Sequence, residues 1–249
     1  MSMDLPLITH QPAPPREGRS AGRVRLRPDA PTVAQATPSY AAEQYRNLAV
    51  QVEERINPIG TWGYALTVAS SEPGAGKTVT SLNLALTLTR GGDRRVLLVE
   101  GDLWRPKLDS YLDPRLDGEE TRDGLLQVLE RSVPLAQAVV EVAGTSLSVL
   151  TAGARGIAGD VISGRRMSEA LAEMRSAYEI VVIDSPPMAL LASARSLAAR
   201  SDGVVLVVRA RQSRKKAIET ALAALGPEKL VGLVLNGARV PRRGYQSYS

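Results

Sequence analysis

Residues 64–90, YALTVASSEPGAGKTVTSLNLALTLTR, decide how this chain is read. An apolar run, Tyr64 to Ala69, is followed by SSEPGAGKT at 70–78 and then by a helical pattern. Strand, glycine-rich loop and helix in that order are the context a phosphate loop requires. Gly74 and Gly76 let the backbone curl, so that successive N–H groups point at phosphate oxygens. A helix opening near Lys77 adds its positive dipole end. Lys77 supplies a mobile cation for β- and γ-phosphates, and Thr78 offers a hydroxyl to Mg²⁺. Pro73, Ala75 and Val79 fall within or beside the same cradle and join it as cofactor-binding candidates. Ser71 stands where the motif's first glycine usually does.

Outward from the loop, apolar runs alternate with helical stretches. The runs are Tyr64 to Ala69, Arg95 to Val99, Leu147 to Leu150, Ile180 to Ile183, Val204 to Val208 and Val231 to Leu235. Most are short, continuous and rich in Val and Leu, as expected of strands buried on both faces. Helical spacing recurs in Met167, Leu171, Met174 and Tyr178, and in Lys215 to Leu225. The expectation is an α/β fold, a mostly parallel sheet with helices on both faces. In such sheets ligands bind beyond the carboxyl ends of strands. Two acidic clusters fall there: Glu100 and Asp102 in VLLVEGDLWRP, and Asp184 in IVVIDSPP. With Thr78, Asp102 and Asp184 could hold Mg²⁺ through oxygen ligands and waters. For a single Asp, the taste of turns for that residue would be explanation enough.

The ends differ in character from the middle. Residues 1–37 are rich in Pro and Arg without a sustained hydrophobic period, and are expected to be a flexible leader. From Ser39, a plausible N-cap, residues Ala41, Tyr45, Leu48, Val52 and Ile56 recur at helical spacing. Asn57, Pro58 and Gly60 stop that helix. The organisation expected is a leader (1–37), a nucleotide-binding domain (38–238) and a short tail (239–249).

Composition narrows the chemistry. The 249 residues include no Cys, no Phe and one His, His10. Thiolate metal sites, Cys nucleophiles and Ser-His-Asp triads are thereby excluded or nearly so. The net charge of +5 is concentrated at the ends, in Arg16 to Arg27, Arg209 to Lys216 and Arg239 to Arg243. That balance suits an acidic partner, but no motif for specific nucleic-acid binding accompanies it. No apolar stretch approaches 18 residues, so no transmembrane segment is expected, and the start lacks a signal peptide's apolar core.

Taken together, the motifs resemble the bacterial tyrosine kinases of capsule and exopolysaccharide synthesis (BY-kinases, CpsD/CapB-like), within the wider MinD/ParA group of P-loop ATPases. The family's Walker A, SxxPGxGKS/T, reads SSEPGAGKT here; its Walker A′, VLLIDxDxRxP, reads VLLVEGDLWRP; its Walker B, VIIDTPP, reads VVIDSPP. The upstream element EAYRxLR appears as EQYRNLA at 43–49, and DGVVLVVRA and LVGLVLNGA match the last two strands. The resemblance covers roughly residues 38 to 238. It implies a P-loop fold, ATP and Mg²⁺ as cofactors, and autophosphorylation of tyrosines in the tail. Gly74 to Thr78 would cradle ATP, with Lys77 neutralising charge during transfer. Asp102 and Glu100 would assist catalysis, and Thr78, Asp102 and Asp184 would organise Mg²⁺. Asn236 falls where the family contacts adenine. The tail tyrosines are Tyr245 and Tyr248. A separate membrane adaptor would recruit the protein to the inner face of the cell membrane from the cytoplasm, and the 39–56 helix would support a homo-oligomer.

Departures from the pattern keep alternatives open. Glu100 replaces an Asp, which suggests that Glu100→Asp is tolerated or raises activity. Ala49 stands where the family often has a second Arg, and the tail holds two tyrosines in place of a dense cluster. A ParA/MinD-like positioning ATPase would carry a Lys two residues before Gly74, and here that residue is Glu72. A regulatory ATPase without kinase activity is the further alternative. No HRD or DFG motif of the eukaryotic-type kinases is present.

Overall fold

The computed structural model describes residues 22–32, 39–56, 63–90, 94–113, 123–153, 162, 164–188 and 191–239. In chain order the strands are β1 (Gly22–Leu26), β2 (Tyr64–Ser70), β3 (Val96–Glu100), β4 (Leu112–Asp113), β5 (Val140–Val142), β6 (Leu147–Leu150), β7 (Ile180–Asp184), β8 (Gly203–Arg209) and β9 (Leu230–Asn236). The helices are α1 (Tyr40–Ile56), α2 (Lys77–Leu88), α3 (Leu125–Glu130), α4 (Leu135–Ala138), α5 (Arg165–Ala177), α6 (Ala192–Arg200) and α7 (Lys215–Leu225). The strands form one sheet in the order β4-β1-β5-β6-β3-β7-β2-β8-β9. All pairings from β6 across to β9 are parallel, while β1–β4 and β5–β6 are antiparallel.

The central strands are apolar on both faces, and their period of two sorts them between two layers of helices. Leu66, Val68, Leu98, Val182 and Val205 pack with Leu48 and Val52 of α1 and with Leu82 and Leu84 of α2. Their chain neighbours Ala65, Leu97, Val181 and Ile183 face the other way, against Leu125, Met167, Leu171 and Leu197. At the β8 end, Val204 and Leu206 meet Ala194 of α6 and Ala221 and Leu225 of α7. α1 begins as expected: the Ala42 N–H donates to Ser39 Oγ at 3.2 Å, filling one of the orphan donors of its first turn.

The expected leader is corrected at residues 22–26. They form β1, which pairs with β4 and β5 and buries Val24 completely. The signal was the period-two run Arg23-Val24-Arg25-Leu26-Arg27, hidden among charges. The short elements α3, α4, β4 and β5 were also not anticipated. They are two to six residues long, too short to display a period.

Candidate active site

The carboxyl ends of β3, β7, β2, β8 and β9 lie side by side, and all but that of β8 carry a residue of the site. β2 ends at Ser70, and the chain curls through Gly74 (φ 73°) and Gly76 (φ 97°) before α2 begins at Lys77. Both glycines occupy left-handed backbone that other residues adopt with strain. Gly76 is further constrained by Asn236 at the end of β9, because a Cβ there would lie 2.0 Å from Asn236 Nδ2. That amide donates to the Ala75 carbonyl at 2.8 Å, tying the loop to the far strand. Asn236 therefore sits beside the loop, with its Nδ2 engaged by loop backbone.

Lys77 is almost buried, and its Nζ donates to Ser70 Oγ at 3.0 Å. Burial lowers its pKa, against the pull of Asp184 and Asp102, and Lys107 adds to the lowering. Asp184, at the end of β7, is buried and pushed up to about 6, chiefly by desolvation. Hydrogen bonds from Thr78 and Ser81 and the charge of Lys77 oppose that rise. Ser81 Oγ lies 3.0 Å from the Lys77 carbonyl and 3.4 Å from Asp184 Oδ1. Thr78, Lys77 and Asp184 thus converge as expected, with Asp102 facing them. Asp102 Oδ1 accepts the Arg105 N–H at 3.1 Å, which shapes the loop after β3. Ser71, in place of the motif's first glycine, is buried with its hydroxyl unpartnered.

Glu100, expected to assist catalysis, is held by backbone on both sides. Its Oε1 accepts the N–H groups of Lys107 and Leu108, and its Oε2 accepts that of Ala152. Only 1% of the residue is exposed, and burial pushes its carboxyl up to about 7 despite those donors. The longer Glu arm reaches past the site to clamp the loop 101–108 and the end of β6. Both carboxylate oxygens of Glu100 are thus engaged by backbone N–H groups. An Asp at this position, one methylene shorter, is expected to lose at least one of these three donors, which weighs against its being tolerated.

Between the phosphate loop and the loop after β3 lies a cavity of about 340 Å³. Pro73, Gly74, Gly76, Lys77, Thr78 and Val79 form one wall; Asp102, Trp104, Arg105, Lys107, Tyr111, Pro187 and Leu191 form the other. Of that second wall only Asp102 was singled out from the sequence. Arg105 and Lys107 lie three and five residues beyond it and could have been found as cations close behind the acid. A larger cavity of about 740 Å³, lined by Arg95, Glu141, Ser148 and Tyr178 among others, contains none of these site residues. Glu72 is held by Arg214, whose N–H and Nε reach its two carboxylate oxygens at 2.9 and 2.8 Å. Tyr245 and Tyr248 lie outside the described residues.

The donor set suits a phosphorylated ligand with a divalent ion. The N-terminus of α2, Lys77 and the turned backbone of 74–78 present positive potential to phosphate oxygens. Two carboxylates and a hydroxyl can hold Mg²⁺ in the usual way, with phosphates and water completing its shell. Among the described residues, no group of three or more His, Cys, Asp or Glu side chains could hold a metal ion without such help.

Comparison with known proteins finds relatives of the whole nucleotide-binding region. The AAA domain model matches residues 64–225. The tyrosine-protein kinase YwqD of Bacillus subtilis is 30% identical over 213 residues, covering 84% of this chain and 86% of that protein. The succinoglycan biosynthesis transport protein ExoP of Rhizobium meliloti is 27% identical over 82% of this chain, which spans only 26% of ExoP. The solved BceF tyrosine kinase domain superposes with a TM-score of 0.68 at 27% identity, over 80% of this chain and 78% of that one.

Proposed function

The chain belongs to the AAA domain family and, within it, to the bacterial tyrosine-protein kinases, and from that premise we propose that it moves the γ-phosphoryl group of ATP to protein tyrosine. The observation that carries this reading is the meeting of Lys77, Thr78 and Asp102 in one cavity at the strand ends, with Asp184 buried behind Thr78 and hydrogen-bonded by it. In the transfer, a tyrosine oxygen bonds to the γ-phosphorus, the bond from that phosphorus to the β,γ-bridging oxygen breaks, and ADP departs. A bound Mg²⁺ would neutralise phosphate charge. The backbone N–H groups of 74–78 and the Lys77 ammonium stabilise charge on the phosphoryl oxygens. Thr78 and Asp184 would hold that ion. A phenol with a pKa near 10 is protonated at neutral pH, so its proton needs an acceptor. Asp102 is the Walker A′ carboxylate that faces the cavity, and we assign that role to it.

By its kinship with ExoP and the capsule-type kinases, the chain is assigned to exopolysaccharide or capsule synthesis and export. Among the described residues no helix is long and apolar enough to cross a membrane. A separate membrane adaptor at the cytoplasmic face is accordingly part of the proposal, as is a homo-oligomer built on α1. The acceptors proposed are Tyr245 and Tyr248.

The engagement of Glu100 by backbone favours a second reading, a regulatory ATPase of the same machinery, since one expected catalytic carboxylate is otherwise occupied. Incubation with ATP, Mg²⁺ and an adaptor's cytoplasmic fragment, followed by mass spectrometry, separates the two. Phosphotyrosine supports the kinase. ATP turnover with no phosphotyrosine selects the regulatory ATPase.

A further inference from the structure

Trp104 is 58% exposed, one of few large apolar side chains in the described residues so placed. A lone exposed apolar side chain is ordinary on a protein surface. This one lines the cavity that holds Lys77 and Asp102. The arc that carries it is pinned at both ends: Asp102 Oδ1 accepts the Arg105 N–H at one end, and Glu100 clamps the Lys107 and Leu108 N–H groups at the other. An indole held on a fixed arc, open to solvent and two residues from the proposed proton acceptor, is prepared for a flat apolar ligand.

The sheet order says which ligand. β3, which leads into this arc, lies on one side of β2 beyond β7, while β8 and β9 lie on the other. Phosphates bound by the loop after β2 therefore have Asn236 on one flank and the Asp102–Trp104 wall on the opposite one. A nucleophile attacks phosphorus in line, from the face opposite the leaving group. With Asp102 as the proton acceptor, that face is the Trp104 wall. On the kinase reading above, we propose that Trp104 is the platform on which the acceptor tyrosine ring is stacked for attack. Aromatic pairs prefer offset or edge-to-face contact, and both geometries leave the phenol oxygen free to face phosphorus.

The chain has two tryptophans, so Trp62→Phe leaves Trp104 as the single indole reporter. Its fluorescence is titrated, with Mg²⁺ and a non-hydrolysable ATP analogue, against a Glu–Tyr copolymer and a peptide of residues 239–249. The same peptide with both tyrosines changed to Leu is the control. Saturable change with the tyrosine probes and none with the control is expected. In steady-state assays, Trp104→Ala should raise the KM for the acceptor about tenfold and leave the KM for ATP within about twofold, and Trp104→Phe should restore the acceptor KM. Equal response to the Leu control, or an unchanged acceptor KM in Trp104→Ala, overturns the platform while the kinase stands. An equal rise in both KM values overturns it too, by placing Trp104 on the nucleotide. Tyrosine-specific binding without any phosphotyrosine in the parent protein overturns the kinase reading and leaves the platform.

Discussion

At the scale of single residues, two side chains of the site make opposite demands. Lys77 faces ligand: it lines the cavity, and its Nζ donates to Ser70 Oγ. Lys77→Met should lower phosphoryl transfer roughly a hundredfold or more, because the charge developing in transfer loses its nearest cation. Circular dichroism should be unchanged, and a turnover assay checks the loss. Glu100 faces inward and holds three backbone N–H groups. Glu100→Asp withdraws the carboxylate by one methylene and leaves at least one buried donor unmade, which costs about 1–3 kcal/mol. Glu100→Gln turns an NH₂ toward a donor and should lose a similar amount. Denaturant titration checks both, and a wild-type midpoint in both variants would contradict the clamp. Sequence reading could name Glu100 as acidic and near the site, but one methylene of reach decides what it touches.

At the scale of elements, the phosphate loop is braced from two directions. Asn236 of β9 holds the Ala75 carbonyl, and Arg214, preceding α7, holds Glu72. Arg214→Ala should weaken nucleotide binding up to about fivefold at low salt, as expected for an exposed ion pair, and less at high salt. Calorimetric titration at two ionic strengths measures this. Arg214 lowers the Glu72 pKa by backbone and side-chain hydrogen bonds. The stabilisation is thus present above the ordinary carboxylate range and fades as pH falls through the lowered value. Binding differences between wild type and Arg214→Ala should therefore persist at neutral pH and shrink in acid. The main elements were legible because the six runs are continuously apolar and α2 follows its loop directly, and the loop's glycines and lysine are fixed by chemistry. β1 was not, since three arginines mask its two apolar residues, and its strand character comes from pairing with distant β4 and β5. The Trp104 wall was not either, because no periodic or charge rule singles out an indole in a loop.

At the scale of the whole molecule, the sheet order bears on how the tail could be phosphorylated. Asn236 ends β9, and Tyr245 follows by a stretch that spans at most about 30 Å when extended. From β9 to β3 the sheet runs through β8, β2 and β7, a crossing of roughly 19 Å at ordinary strand spacing. Length alone would let the tail reach the Asp102 wall of its own site. Direction opposes it. The tail departs from the Asn236 flank of the phosphates, whereas in-line attack comes from the Trp104 flank, so an intramolecular tail must cross the nucleotide and double back within what remains. A tail from another copy approaches the open flank without that detour. Autophosphorylation is therefore expected in trans. Lys77→Met protein, which keeps its tyrosines, should be phosphorylated at Tyr245 and Tyr248 by the Tyr245→Phe/Tyr248→Phe protein, which keeps its site. The initial rate in wild type should rise with the square of protein concentration below saturation. Mass spectrometry of the mixed pair decides the matter: an unmodified Lys77→Met tail, beside a wild-type tail labelled at a rate first order in protein, would establish transfer within one chain.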